Sequence, residues 1–218
     1  MDINKTNIKG FTKNYNLGKK QIIYHTLSAD IHTPVSILIK LKNEKYSFLY
    51  ESVEKGSQKG RYSIIGLKPD LVWECKNNKC TVLNLLKNKK TSTFEQNPLK
   101  SLKKLIKENK AIIPEVLPSI SSGLYGFLGY EMIQHFESLK LNKSDNLNLP
   151  ESVFIRPSLT LVFDNVSDKL FITKLIVPCS ENASVSYKRG LKEIQKLIRR
   201  IQKPLMVRTT NRKKKKNK

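Results

Sequence analysis

An α+β fold, with largely antiparallel sheets built from hairpins and flanking helices, is what this 218-residue chain predicts. Three features carry that prediction. Short β-rich runs separated by turn residues fill roughly 35–85 and 153–177. Two stretches, near 98–109 and 186–202, place apolar residues at helical spacing instead. The order of hairpins, helix and further strands lacks the strict βαβ alternation of a doubly wound sheet. At 39% hydrophobic the chain can bury one sizeable core, which excludes a disordered composition.

Thr33-Pro34 opens the branched apolar run Val35 to Leu41, and Tyr46 to Tyr50 follows after the polar stretch Lys42 to Lys45, so the pair predicts a hairpin. Gly56 and Gly60 bracket a polar loop. Tyr62 to Leu67, Leu71 to Cys75 and Cys80 to Leu85 then read as strands, with Lys68-Pro69-Asp70 and Lys76 to Lys79 as the turns between them. Asn97-Pro98 supplies an N-cap and a first-turn proline, and Leu99, Leu102, Leu105 and Ile106 continue a helix to Asn109. Gly123, Gly126 and Gly129 punctuate the apolar run Leu124 to Leu128, which suits close backbone approach within a sheet. Met132, Ile133 and Phe136 change to helical period, and His135 and Phe136 are expected to pack. Residues 140–150 read as a loop, and Val153 to Asp164 with Lys169 to Val177 as a hairpin. Tyr187, Leu191, Ile194, Ile198 and Ile201 then keep one apolar stripe on a helix that Pro204 ends.

The formal charge is +23 and is unevenly spread. Lys188 to Lys218 holds 14 Lys and Arg against the single acid Glu193, and the run Arg212 to Lys218 has no apolar residue to pack. That tail, 204–218, is expected to be basic and disordered. The basic end admits a reading as a nucleic-acid-binding module with the helix 186–202 and the tail as footprint. Interleaved aromatics and a recognised motif are missing, so nucleic acid is not the expected partner. No apolar stretch reaches signal-peptide or membrane-span length, and the chain reads as cytoplasmic with no membrane partner. Cys75, Cys80 and Cys179 are too few for a disulfide framework and no His or Cys completes a zinc site, so free thiols and no metal are expected.

No catalytic constellation emerges. His25, His32 and His135 are isolated and the acids are scattered. The segment Phe48 to Gly56 followed by Gly60 to Gly66 differs in kind: an apolar strand delivers Glu51 and Ser52 to a glycine-bracketed loop, and Arg61 returns at the far end. A carboxylate, a hydroxyl and a guanidinium are the groups that a zwitterionic amino acid needs. The plainer alternative is a surface turn in which Glu51 pairs with Arg61 or Lys59, an arrangement that is common and weak.

At these residues the chain resembles the N-terminal region of anthranilate synthase component I and its chorismate-utilising relatives. The resembling pieces run in order: Ala29-Asp30 with Thr33 to Ser36, then Tyr46 to Gly66, then Gly123 to Glu131 with His135-Phe136-Glu137. Leu149-Pro150 and Leu161-Val162-Phe163-Asp164 complete them. They span roughly 15–203, leaving 1–14 as an N-terminal extension. The resemblance implies a feedback site for L-tryptophan contacted by Ser52 and Glu51, and more weakly by Arg61. It also implies tryptophan biosynthesis from chorismate, with a glutamine amidotransferase subunit (component II) as partner. The chorismate-binding half, with its Mg²⁺ ligands and catalytic base, has no counterpart here, so this chain is expected to hold no catalytic residue, no cofactor of its own and only part of the tryptophan pocket. A sequence truncated before that half is the expectation. Tyr50 stands where the family usually has Leu, Gln134 where Arg is common and Asn165 where His often follows Asp. These departures leave the aminodeoxychorismate synthase relative open as the subfamily.

Overall fold

The computed structural model describes residues 8–41, 44–53, 59–92, 97–139 and 148–205. The chain runs α1 (Ile8–Asn16), β1 (Gln21–Ser28), α2 (Pro34–Lys40), β2 (Phe48–Val53), β3 (Lys59–Lys76), β4 (Lys79–Asn84), β5 (Lys89–Ser92), α3 (Pro98–Glu108), β6 (Tyr125–Leu128), β7 (Ser152–Asp164), β8 (Lys169–Ile176) and α4 (Ala183–Ile201), with short 3₁₀ turns at Ser119–Ser121 and Tyr130–His135. The eight strands form one antiparallel sheet in the order β1-β8-β7-β3-β4-β5, with β2 added to β3 and β6 added to β7. This is the α+β architecture the sequence predicts. The tail beyond Leu205 lies outside the described residues, as does most of the 140–150 loop.

Three local readings change. Val35 to Leu41 is not the first strand of a hairpin but α2, because Thr33 and Ser36 form a capping box and Pro34 fixes the first helical φ. Thr33 Oγ1 accepts from Ser36 N–H at 3.1 Å and Ser36 Oγ accepts from Thr33 N–H at 3.1 Å. Lys68-Pro69-Asp70 is not a turn: β3 passes through it with a register shift between Pro69 and Leu71, and Lys68 sits at φ 47°. Phe136 does not pack but is 59% exposed. At the start of the described residues α1 begins at Ile8 and buries Phe11.

One face of the sheet is covered by α1, α2 and α4. Ile23, Ile65, Leu67, Leu161, Phe163 and Ile172 from the strands meet Phe11, Ile37, Tyr187, Ile194 and Leu197 from the helices. Gly190 lets α4 lie close, since a Cβ there would come within 2.7 Å of both Ile23 and Ile176. The opposite face carries Ile22, Ile64, Val162 and Phe171, with Phe48, Tyr62 and Tyr125 partly buried against them. The sheet curls enough that β2 and β6, on opposite flanks of the β3–β7 pair, touch: Tyr50 Oη donates to Gly126 O at 3.2 Å. At the far end α3 covers Trp73, whose Nε1 donates to Ser101 Oγ at 3.0 Å. A buried ion pair, Arg156 to Asp70 at 2.7 Å, sits at the β3 irregularity.

Candidate functional site

The sequence singles out Glu51, Ser52 and Arg61, and β2 and β3 bring this region together. Phe48 pairs with Gly66, Leu49 with Ile65, Tyr50 with Ile64 and Glu51 with Ser63, after which the register shifts and Val53 pairs with Lys59. The shift leaves Ser52 opposite the extra residues of β3. A Cβ built on Gly60 would overlap Ser52 Cβ and Oγ and lie 2.9 Å from its carbonyl carbon, so Ser52 rests directly on the backbone of Gly60. Glycine at 60 is therefore a seat for Ser52 rather than only the edge of a loop.

Strand alternation separates the two neighbours. Phe48 packs with the cluster on the open face while Leu49 packs with the helix-covered core. Tyr50 shares the side of Phe48 and Glu51 follows Leu49 to the other side, while Ser52 sits in the register shift; Glu51 and Ser52 are both exposed. Toward the start of β2 lies an aromatic group: Phe48 and Tyr50 rings are 4.9 Å apart, and Phe48 and Tyr125 rings 5.1 Å. Tyr125 donates its hydroxyl to Ile120 O, and burial pushes its phenol well above the usual range.

Arg61 does not pair with Glu51. Its Nε and Nη2 donate to the two carboxylate oxygens of Asp164, each at 3.3 Å, and its guanidinium lies 4.9 Å from the Tyr62 ring centre. The Arg61 side chain is 57% exposed while that of Asp164 is 7% exposed. Burial works to raise the Asp164 carboxyl, but hydrogen bonds from Arg61, Val166 N–H and Ser167, with the Arg61 charge, outweigh it and hold the carboxyl below its ordinary value. Asn165 completes the anchor by donating Nδ2 to Gly60 O at 2.7 Å and its backbone N–H to Arg61 O at 2.8 Å.

Gly60, Asp164 and Asn165 thus position the site; the sequence places Gly60 at the loop, while the parts of Asp164 and Asn165 are not visible in it. Leu161 to Asp164 was visible as a strand end, but nothing local says that it pairs beside Tyr62. That contact needs the β3–β7 register, Tyr62 to Asp164. Among the described residues no group of three or more His, Cys, Asp or Glu could hold a metal ion. Cys75 and Cys80 are buried free thiols and Cys179 is an exposed one. No helix among the described residues is long and apolar enough to cross a membrane.

No protein-family model matches the chain. Individual relatives do. Anthranilate synthase component 1 of Cereibacter sphaeroides is 34% identical over 198 residues, 89% of this chain and 40% of that protein. The protein of the same name from Synechocystis is 31% identical over 188 residues, covering 84% of this chain and 36% of its own length. The crystal structure of anthranilate synthase component I from Streptococcus pneumoniae superposes with a TM-score of 0.50 at 21% identity, covering 82% of this chain and 37% of that one, which shows the fold. The chain spans about two fifths of the length of the relatives it matches.

Proposed function

The chain belongs to the anthranilate synthase component 1 family, over that family's N-terminal part, and on that premise we propose that it is the regulatory-type portion of such an enzyme. The reaction proposed for the complete enzyme joins chorismate and ammonia, delivered by the glutamine amidotransferase subunit (component II), and yields anthranilate, pyruvate and water, the anthranilate serving tryptophan biosynthesis in the cytoplasm. Chorismate, Mg²⁺ and the catalytic base fall to the chorismate-binding half outside the matched segment. This chain's own contribution is to bind L-tryptophan as effector.

The observation that carries the reading is the seat of Ser52 on Gly60, with Arg61, the next residue, anchored to Asp164. Ser52 Oγ reaches the ligand's polar end. Arg61 spends Nε and Nη2 on Asp164, which leaves Nη1 to face a carboxylate. Glu51 takes part through the main chain next to Ser52, since its side chain lies across the strand. Tyr50, exposed two residues before Ser52, suits the indole.

Two measurements test this. Supplied with chorismate, Mg²⁺ and ammonium salt, the purified chain gives no anthranilate fluorescence; turnover would place an active site within it. An amide NMR titration with L-tryptophan gives weak, saturable shifts at Glu51, Ser52 and Gly60 that Ser52→Ala diminishes. Shifts absent from those amides at saturating tryptophan reject the effector assignment.

A further inference from the structure

We propose that the cleft between α3 and residues 109–124, remote in sequence from Ser52, binds a small amphipathic anion: a carboxylate carried on an aromatic ring or an aliphatic chain. The cleft has a volume of about 380 Å³, within the range of about 300–1,000 Å³ usual for small-molecule sites. Its walls come from separately fixed elements. Leu102 and Ile106 belong to α3, and Phe154 belongs to β7, where its ring lies 6.1 Å from that of Trp73. Ala111 and Ile113 flank Ile112, which is pinned to β1 by Ile22 N–H to Ile112 O at 3.0 Å and Ile112 N–H to Lys20 O at 2.8 Å. A cleft held this way is preorganised, so a ligand need not order it.

Gly123 points to an occupant. The glycine motif of the sequence has three members, and packing explains two. A Cβ on Gly126 would collide with Val153 O, and one on Gly129 would lie 2.6 Å from Glu151 O. A Cβ on Gly123 meets nothing within 4 Å, and its backbone is not in the left-handed region. Neither sterics nor conformation accounts for glycine there. Gly123 is exposed on the cleft wall, and a branched side chain there would narrow the opening.

The charge of the ligand follows from the remaining lining. Lys110 is the single charged residue on the wall. The Asn109 amide is already engaged, donating Nδ2 to Leu105 O at 2.7 Å and accepting from Arg156 with Oδ1. Arg156 is in turn neutralised by Asp70. Lys110 is exposed, and one cation beside mostly apolar walls favours an anionic group on an apolar body.

The test uses amide NMR on the full 218-residue chain with 2-naphthoate, octanoate and the uncharged 2-naphthalenemethanol as probes. At least one acid is expected to give saturable shifts at Ala111, Gly123 and Leu124, with the alcohol about tenfold weaker, the size of one charge-assisted hydrogen bond. The tighter acid identifies ring or chain, and either supports the site. Gly123→Val should abolish those shifts while moving Tm by no more than about 2 °C, a small stability change for a domain of this size. Lys110→Gln should reduce the acid to the alcohol's affinity. Shifts that map elsewhere or fail to saturate overturn the proposal, and so does a Gly123→Val chain that binds as the parent does.

Discussion

The two faces of the sheet are built from the same strands and covered by different means. Along β3, Ile65 and Leu67 point under the helices while Ile64 points to the open face, and along β7 Leu161 and Phe163 alternate with Val162 in the same way. Under α1, α2 and α4 the partners are long apolar side chains from continuous helices. On the other face the cover is irregular: the 111–125 segment, a few tyrosines and the edge that carries Ser52. A closed face stores stability, and a face covered by loops and aromatics leaves room for ligands. Both faces are apolar, so the strands read as continuous hydrophobic runs rather than as half-polar ones.

Adjacent isoleucines measure the difference directly. Ile65→Ala removes a fully buried side chain from the helix-covered core and should cost about 3–5 kcal/mol in urea unfolding. Ile64→Ala makes the same chemical change one residue away, at a position 6% exposed, and should cost about 2–3 kcal/mol because looser neighbours can close over the gap. Equal losses, or a larger one at Ile64, would break the comparison.

The next effect belongs to the open face alone. Gly60→Ala forces a Cβ into the side chain and carbonyl carbon of Ser52 and should cost about 1–3 kcal/mol, as overpacking does. The double variant Gly60→Ala, Ser52→Gly removes the two overlapping side-chain atoms and should recover most of that loss. A double variant no more stable than the single one would mean that Ser52 does not rest on Gly60.

Acid should act first through the helix-covered side. Burial lowers the pKa of His25 and of His32, with Lys40 adding to the effect at His32. His25 follows Ile23 to the helix face by strand alternation, and Nδ1 of each histidine is buried without a partner among the described residues. Since the unfolded rings protonate near the ordinary histidine value of 6.5 and the folded ones only below it, the unfolded state binds more protons between the two. Stability is therefore full above pH 7 and declines as pH falls through 6.5. Asp164, held below the ordinary carboxyl value of 3.8, adds its own loss only at still lower pH. Urea midpoints at pH 8, 7, 6 and 5 should fall across that window, and His25→Gln should flatten the slope. An unchanged slope in both His25→Gln and His32→Gln would show that neither ring is forced to stay neutral.

How much of this was legible depends on how local the signal is. α3 and α4 were readable because capping residue, apolar spacing and terminator all lie within each segment, and the Val153 to Val177 hairpin because its turn is short. α2 was misread although Thr33-Pro34 announces a helix start: Val35, Ile37 and Ile39 carry β-branched side chains, and the capping box outweighs them. The Glu51-Ser52 pair was visible as an oddity of composition at a loop. Its geometry was not, because Ser52 meets Gly60 only through the register shift of the hairpin, and Asp164 and Asn165 reach it only through pairing across about one hundred residues.

The smallest expected effect on stability is the most informative about the site. Ser52 is exposed at a register shift and Ala keeps the Cβ that rests on Gly60, so Ser52→Ala should change the unfolding free energy by no more than about 0.5 kcal/mol. If the hydroxyl meets a ligand, tryptophan shifts at Glu51 and Gly60 should shrink while the urea midpoint stays where it was. A variant that loses stability and binding together would instead make Ser52 a structural residue of the β2–β3 turn. That outcome would move it from the open face's ligand surface to the scaffold the two faces share.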